Sequence, residues 1–191
     1  TSKSQEMKMH TANKWQTTLL SAALLAVLSS GVEAAQRCDP NKPERTPSNR
    51  FRVNEKQGIA FDTMTKLTWK ICAEGIAYLN GHCTGDMSFT WADANKAFAN
   101  QVNGWRLPSI DELKSIVEQR CVAPAINLQI FPDTQPSSFW SANTDPGDSD
   151  YAYNIFWGRG LVGNDLKTRG FYVRLVIGEP WVAPQKASGK K

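Results

Sequence analysis

Aromatic, cationic and amide side chains able to bind a ligand gather late in this chain. Tyr151, Tyr153, Trp157, Arg159, Asn164, Lys167 and Arg169 are interleaved there with Gly158, Gly160, Gly163 and Gly170. Aromatic faces stack on sugar rings, and Arg or Lys hydrogen-bonds sulfate and carboxylate groups. Tyr151, Trp157, Arg159, Asn164, Lys167 and Arg169 therefore form a candidate ligand-binding set. The plainer reading stands beside it: alternating aromatics in a strand fill cores, and cations in turns are solvated.

Covalent chemistry finds little support. A hydrolase or transferase needs a positioned nucleophile with a base or an acid pair, and the chain has no Gly-x-Ser-x-Gly elbow and no phosphate-binding glycine loop. His82, beside Cys83, is the only histidine after residue 34, and it reads as an exposed loop residue. The run Asp145-Pro146-Gly147-Asp148-Ser149-Asp150 offers oxygen ligands for calcium but falls short of a full calcium loop, so it reads as a solvated turn. No metal and no cofactor are expected, and the protein is expected not to be an enzyme.

The elements that must position these groups begin with the run Gly104-Trp105-Arg106-Leu107-Pro108-Ser109-Ile110-Asp111-Glu112-Leu113. Ser109 followed three residues later by Glu112 is a capping box, and Pro108 holds Leu107 extended. An extended segment should therefore feed straight into a helix from Ile110 to about Gln119, with Ile110, Leu113, Ile116 and Val117 facing inward and Arg106 paired locally. An earlier helix starts after Thr90, with Asp93 at its third position and Trp91, Ala94, Phe98 and Val102 as its apolar stripe. Strands are expected over Ile59 to Phe61 and Leu67 to Ile71, where Leu67, Trp69 and Ile71 share a face, and a hairpin follows. Beyond Cys121 the pattern is loop and strand: Ser138 to Ala142, Tyr151 to Trp157, Leu161 to Val162 and Phe171 to Ile177. Two early helices and a strand-rich, loop-rich second half predict an α+β domain.

Residues 1–34 read as upstream residues and a secretory leader. Met7-Lys8-Met9-His10 and Lys14 form a basic region, Leu19 to Leu28 an apolar one, and Val32-Glu33-Ala34 a cleavage site. The apolar run is ten residues, too short to cross a bilayer core of about 30 Å, so no membrane span is expected. Residues 35–49, with Pro40, Pro43 and Pro47, read as an extended segment tied down by Cys38. Residues 50–178 are the domain, and 179–191 a flexible basic tail. The formal charge of +4 falls to +3 without the leader's three lysines and two glutamates, which argues against nucleic acid as a partner. An even count of four cysteines suits two disulfides in an oxidising compartment. Cys72 and Cys83 bracket a short loop bearing Gly75 and Gly81 and close most easily, which leaves Cys38 for Cys121.

Several runs occur in a definite order: Arg50-Phe51-Arg52-Val53, Ile59 to Cys72, Thr90-Trp91-Ala92-Asp93-Ala94, the Trp-Arg-Leu-Pro run, Pro124-Ala125-Ile126-Asn127, Phe131-Pro132-Asp133-Thr134, Phe139-Trp140-Ser141 and Phe171 to Val176. Taken together they resemble the Lcl C-terminal domain family. That resemblance implies a C-type-lectin-like fold related to the formylglycine-generating-enzyme fold and, for the namesake collagen-like adhesin, binding of sulfated polysaccharides. Sugar-binding members of the wider lectin-like fold use Glu-Pro-Asn-type and Trp-Asn-Asp-type triplets for calcium. This chain has Glu179-Pro180-Trp181, and Gly163-Asn164-Asp165 without the Trp. The related oxidase fold works through reactive cysteines, which are taken up here by structural pairs.

The functional expectation is thus an exported binding module, in the periplasm, at the cell surface or secreted, recognising an anionic glycan such as a sulfated or acidic polysaccharide. The alternative is a structural or accessory subunit of a surface fibre, pilus or envelope assembly, with a homo-oligomer or fibre partner.

Overall fold

The computed structural model describes residues 35–98 and 102–184; residues 1–34, 99–101 and 185–191 and the side chain of Val102 lie outside them. The described chain is α+β, with two α-helices and four antiparallel sheets. In chain order, β1 (Arg37–Cys38) precedes β2 (Phe51–Asn54), β3 (Ile59–Asp62) and β4 (Thr68–Lys70), and a small hairpin follows, β5 (Ala77–Leu79) with β6 (His82–Thr84). Helices α1 (Trp91–Phe98) and α2 (Ile110–Ser115) lead to β7 (Cys121–Val122), β8 (Ser138–Thr144), β9 (Tyr151–Phe156), β10 (Leu161–Leu166) and β11 (Val176–Ile177). Among the described residues no helix is long and apolar enough to cross a membrane.

The three-stranded sheet β10-β9-β8 is the middle layer. Successive residues of a strand point to opposite faces, so its two faces enter two different cores. Phe139 and Ile155, opposite one another, join the larger core with Leu113, Ile116, Phe131 and Trp157. Trp140 and Ala152 turn to the smaller core, where Ala94 of α1 meets Leu107, Val173 and Leu175. Trp91 and Trp140 each donate an indole N–H to a backbone carbonyl, those of Ser141 and Phe89, at 2.9 Å. The four-stranded sheet β11-β4-β3-β2 contributes Leu67, Trp69 and Ile71, all buried in the larger core, as their alternation requires.

Both helix starts are built by their caps. The Thr90 hydroxyl accepts the Asp93 N–H at 3.2 Å and donates to its carboxylate at 2.7 Å. Ser109 accepts from the Glu112 N–H at 3.2 Å while Glu112 Oε2 accepts from the Ser109 N–H at 2.8 Å. The second helix ends at Ser115, short of Gln119, because Glu118 turns inward instead of continuing the helix. Its buried carboxylate accepts the Thr46 N–H at 2.8 Å, the Thr46 hydroxyl at 2.9 Å and the Arg45 N–H at 3.0 Å. Residues 35–49 are consequently part of the domain and not a linker: Thr46 is fully buried and β1 pairs with β7. The expected strand from Phe171 is regular only over β11, since Arg174 turns into the interior between bridges at Phe171 and Tyr172 and the start of β11.

The cysteines pair Cys72 with Cys83 and Cys38 with Cys121. The first closes a separation of 11 residues and the second one of 83. Restriction of the unfolded chain grows with loop length, so replacing Cys38 and Cys121 together by Ala should cost about 2–4 kcal/mol in urea unfolding, more than the same change at Cys72 and Cys83. An equal or larger loss for the short loop would mean that native packing, not loop closure, governs their contribution.

Candidate ligand-binding surface

The hub of the site is Glu112, fully buried at the start of α2. Arg106 meets it with both terminal nitrogens, each at 2.7 Å. The Arg106 backbone is itself held in register, exchanging two 3.0 Å hydrogen bonds with Val176 of β11. The Trp181 N–H donates to Glu112 Oε1 at 3.0 Å. Burial alone pushes the Glu112 carboxyl up, but the Arg106 fork and the Trp181 and Ser109 N–H groups outweigh it and hold the carboxyl below its ordinary 4.5. Trp181 also packs against the larger core. The domain therefore runs past residue 178, and the start of the expected tail is an anchored strap.

Asp62 is a second such hub. Burial opposes its charge, yet the fork of Arg50, with Nε to Oδ1 at 2.7 Å, and the Thr65 hydroxyl at 2.7 Å hold it below its ordinary 3.8. Arg50 of this pair, α2, the β9–β10 turn and the strap line a cleft of about 540 Å³. Its polar lining comes from Arg45, Asp111, Lys114, Ser115 and Gln119, and its apolar lining from Met64, Val117, Val162 and Trp181. Lys114 is paired with Asp111 at 2.8 Å on the surface, and Arg50 is neutralised by Asp62. Arg45 is exposed, and its guanidinium has no partner among the described residues, so the cleft carries one uncompensated positive charge. Gly160 makes the close approach possible: its φ is +66°, and an added Cβ would lie 2.5 Å from Val117 Cγ1.

The six residues singled out in the sequence do not form one surface. Trp157 is fully buried in the larger core, continuing the inward parity of Ile155, and is no platform for a ligand. Tyr151 and Tyr153 are half-buried on the α2 side of β9, and Asn164 stands opposite Tyr153, donating to the Asp145 carboxylate. Lys167 lies on the other side, with Nζ 4.6 Å from the Trp91 ring centroid of α1, and the exposed Arg169 pairs with Asp165 at 3.0 Å. Arg159 is exposed at the opposite end of the hairpin, next in the chain to Gly160 of the cleft. The cationic rim of Arg159, Lys167 and Arg169 is therefore divided between the two ends of a six-residue ladder.

Arg45, Lys114 and Trp181 were missed because they come from segments far apart in the chain. His82 is exposed and faces Asp133 at 3.2 Å. Asp145 and Asp148 each accept the N–H of the residue two further on, closing the acidic run as a pair of turns.

The family model of the Lcl C-terminal domain matches residues 58–177, and the chain belongs to that family. No curated protein matches the chain. Arg45, Arg50 and Trp181 of the cleft lie outside the matched residues.

Both buried carboxyls bind their protons more weakly in the fold than in the unfolded chain. The stability they contribute is complete above their ordinary values of 3.8 and 4.5 and is lost as pH falls through their depressed folded values. Urea unfolding followed downward from about pH 6 should show a plateau and then a steep acid loss. Glu112→Gln, which leaves Arg106 without its counter-charge, should cost about 3–5 kcal/mol at neutral pH and flatten that loss. An unchanged acid slope would show that Glu112 does not carry it.

Proposed function

We propose that this protein is an exported, non-enzymatic binding module with a C-type-lectin-like fold that holds an anionic glycan in the cleft beside α2. The observation that carries the reading is the cleft's composition: an unpaired arginine, a surface lysine, hydroxyl and amide groups, and a partly exposed tryptophan in about 540 Å³. Trp181 offers a ring face for a sugar, while Arg45 and Lys114 supply charge-assisted donors for sulfate or carboxylate. Two disulfides and the leader-like sequence support export. The alternative role, as an accessory subunit of a surface assembly, draws on the unpaired edge of β10.

Retention on immobilised heparin and on a neutral polysaccharide separates charge recognition from plain sugar stacking. Wild-type protein should bind heparin at low salt and elute as salt rises, because exposed ion contacts are screened over about 10 Å at 0.1 M. Each lost charge-assisted hydrogen bond removes about 1.5–3 kcal/mol, so Arg45→Ala with Lys114→Ala should weaken binding more than about tenfold. Lys167→Ala with Arg169→Ala should leave it unchanged. Passage of wild-type protein through heparin and through an acidic uronate polymer, or full retention of the Arg45 and Lys114 variant, overturns the reading.

A further inference from the structure

At Val162 and Asn164 the outer edge of β10 has no backbone partner among the described residues, and at Leu166 only the carbonyl is taken, by the Arg169 N–H at 2.9 Å. Its hydrogen-bonding parity follows from both of its ends. The Lys167 N–H donates to the Asp150 carbonyl at 2.9 Å and the Gly160 N–H to the Phe156 carbonyl at 2.8 Å, while the Trp157 N–H turns to Ser137 on the β8 side. Even-numbered β9 residues therefore face β10, and with the register Leu161 to Phe156, Gly163 to Asn154 and Asp165 to Ala152, the odd residues of β10 take up those bonds. Val162 and Asn164 turn their N–H and C=O groups outward, and Leu166 its N–H.

Proteins blunt a free edge with Pro, charged side chains, a bulge or a short strand; β10 is six residues long, without Pro or Lys, pairs with β9 in unbroken register, and carries one charge, Asp165, itself paired with Arg169. Apolar surface is concentrated at the same place. Of nine exposed large hydrophobic residues among those described, four lie on this hairpin: Phe156 at 41%, Leu161 at 56%, Val162 at 45% and Leu166 at 40% exposed.

We propose that β10 is a homodimer interface, pairing antiparallel with β10 of a second copy about a twofold axis at Asn164. The strand is complementary to itself in that register. Outward-facing residues must meet outward-facing residues, so Asn164 stands opposite Asn164 of the partner subunit, and Val162 opposite Leu166 of the partner subunit on either side of it. Asn164 then exchanges both bonds with Asn164 of the partner subunit, the Leu166 N–H meets the carbonyl of Val162 of the partner subunit, the Leu166 carbonyl is shared between Arg169 and the incoming N–H, and the exposed aliphatic side chains cover one another. Asp165 comes opposite Gly163 of the partner subunit and Lys167 opposite Leu161 of the partner subunit, so no like charges are directly opposed. A shift by two residues in either direction leaves Val162 or Leu166 without its aliphatic neighbour.

Residues directly opposite in an antiparallel pair project to the same face, so the twofold axis runs through the sheet and the two α2 faces lie on one side of a six-stranded sheet. Given the glycan reading, both clefts then open toward the same polymer, and two weak contacts reinforce one another. The pairing itself does not depend on that reading.

Sedimentation of protein purified from an oxidising compartment should show a reversible monomer–dimer equilibrium with a dissociation constant below about 1 mM. Val162→Lys with Leu166→Lys should shift it to monomer with an unchanged circular dichroism spectrum. Asn164→Cys should form an interchain disulfide in air, since hydrogen-bonded antiparallel pairs hold their Cα atoms about 5.5 Å apart, within disulfide reach, while Thr168→Cys should not. A wild-type monomer throughout, or a dimer in which Asn164→Cys stays uncrosslinked, overturns the interface. Where the double-lysine variant does not fold, the two cysteine variants decide the matter. None of these measurements involves polysaccharide, so failure of the interface and failure of the glycan reading are separable.

Discussion

A buried carboxylate has to be surrounded by donors or it will not stay charged, and Glu112 meets that demand with groups from the run just before it and from beyond the last strand. Arg106 brings the extended run that pairs with β11, Ser109 brings the cap of α2, and Trp181 brings the chain beyond the last strand. Removing a carboxylate from water costs several kcal/mol, and the fork of Arg106 with two backbone donors offsets that cost only while these segments keep their places. The cleft is made from two of those segments, α2 and the Trp181 strap, so its shape depends on this one charge.

The same solution recurs where regular structure is thin. Several strands here are two to four residues long, too short for backbone ladders alone to hold the loops between them. Asp62 gathers Arg50, Thr65 and the Met64 N–H, and Glu118 draws in residues 45–46. Arg174 is fully buried without a carboxylate: it donates to the carbonyls of Lys70 and Ile71 and to the Thr134 hydroxyl, with its guanidinium 4.8 Å from the Phe131 ring centroid. Burial pulls its pKa down to about 9, still a cation at neutral pH, solvated by carbonyl dipoles and aromatic faces in place of water. Loops pinned this way can present a surface for binding without a large sheet beneath them.

What could be read in the sequence was local. The capping box at Ser109 and Glu112, the Thr90 cap, the shared face of Leu67, Trp69 and Ile71, and the α+β character follow from spacings of two to four residues, which the chain carries within itself. Trp157 was misassigned because alternation says that Tyr153 and Trp157 share a face but not which stretch of that face a neighbouring core covers. Lys167 and Asn164 looked like one cluster for a related reason: three residues apart, they differ in parity, and the hairpin sends them to opposite sides. The α2 boundary failed because the pull of Glu118 toward Thr46 is exerted across 72 residues. Arg45 and Trp181 were invisible as site residues, since each is brought to the cleft by a buried carboxylate far along the chain.

The cleft also reaches beyond the residues that match the family. The matched residues contain both helices and the central sheet, whereas the uncompensated cation and the half-buried ring of the cleft come from outside them. Titration of isotopically labelled protein with a short sulfated oligosaccharide, followed by NMR, tests the assignment of this cleft most directly. The account predicts shifts of the Trp181 indole and of the Arg45, Lys114 and Ser115 signals, with Trp91 and Lys167 unmoved. Shifts confined to Trp91, Lys167 and Arg169, with Trp181 silent, would contradict it.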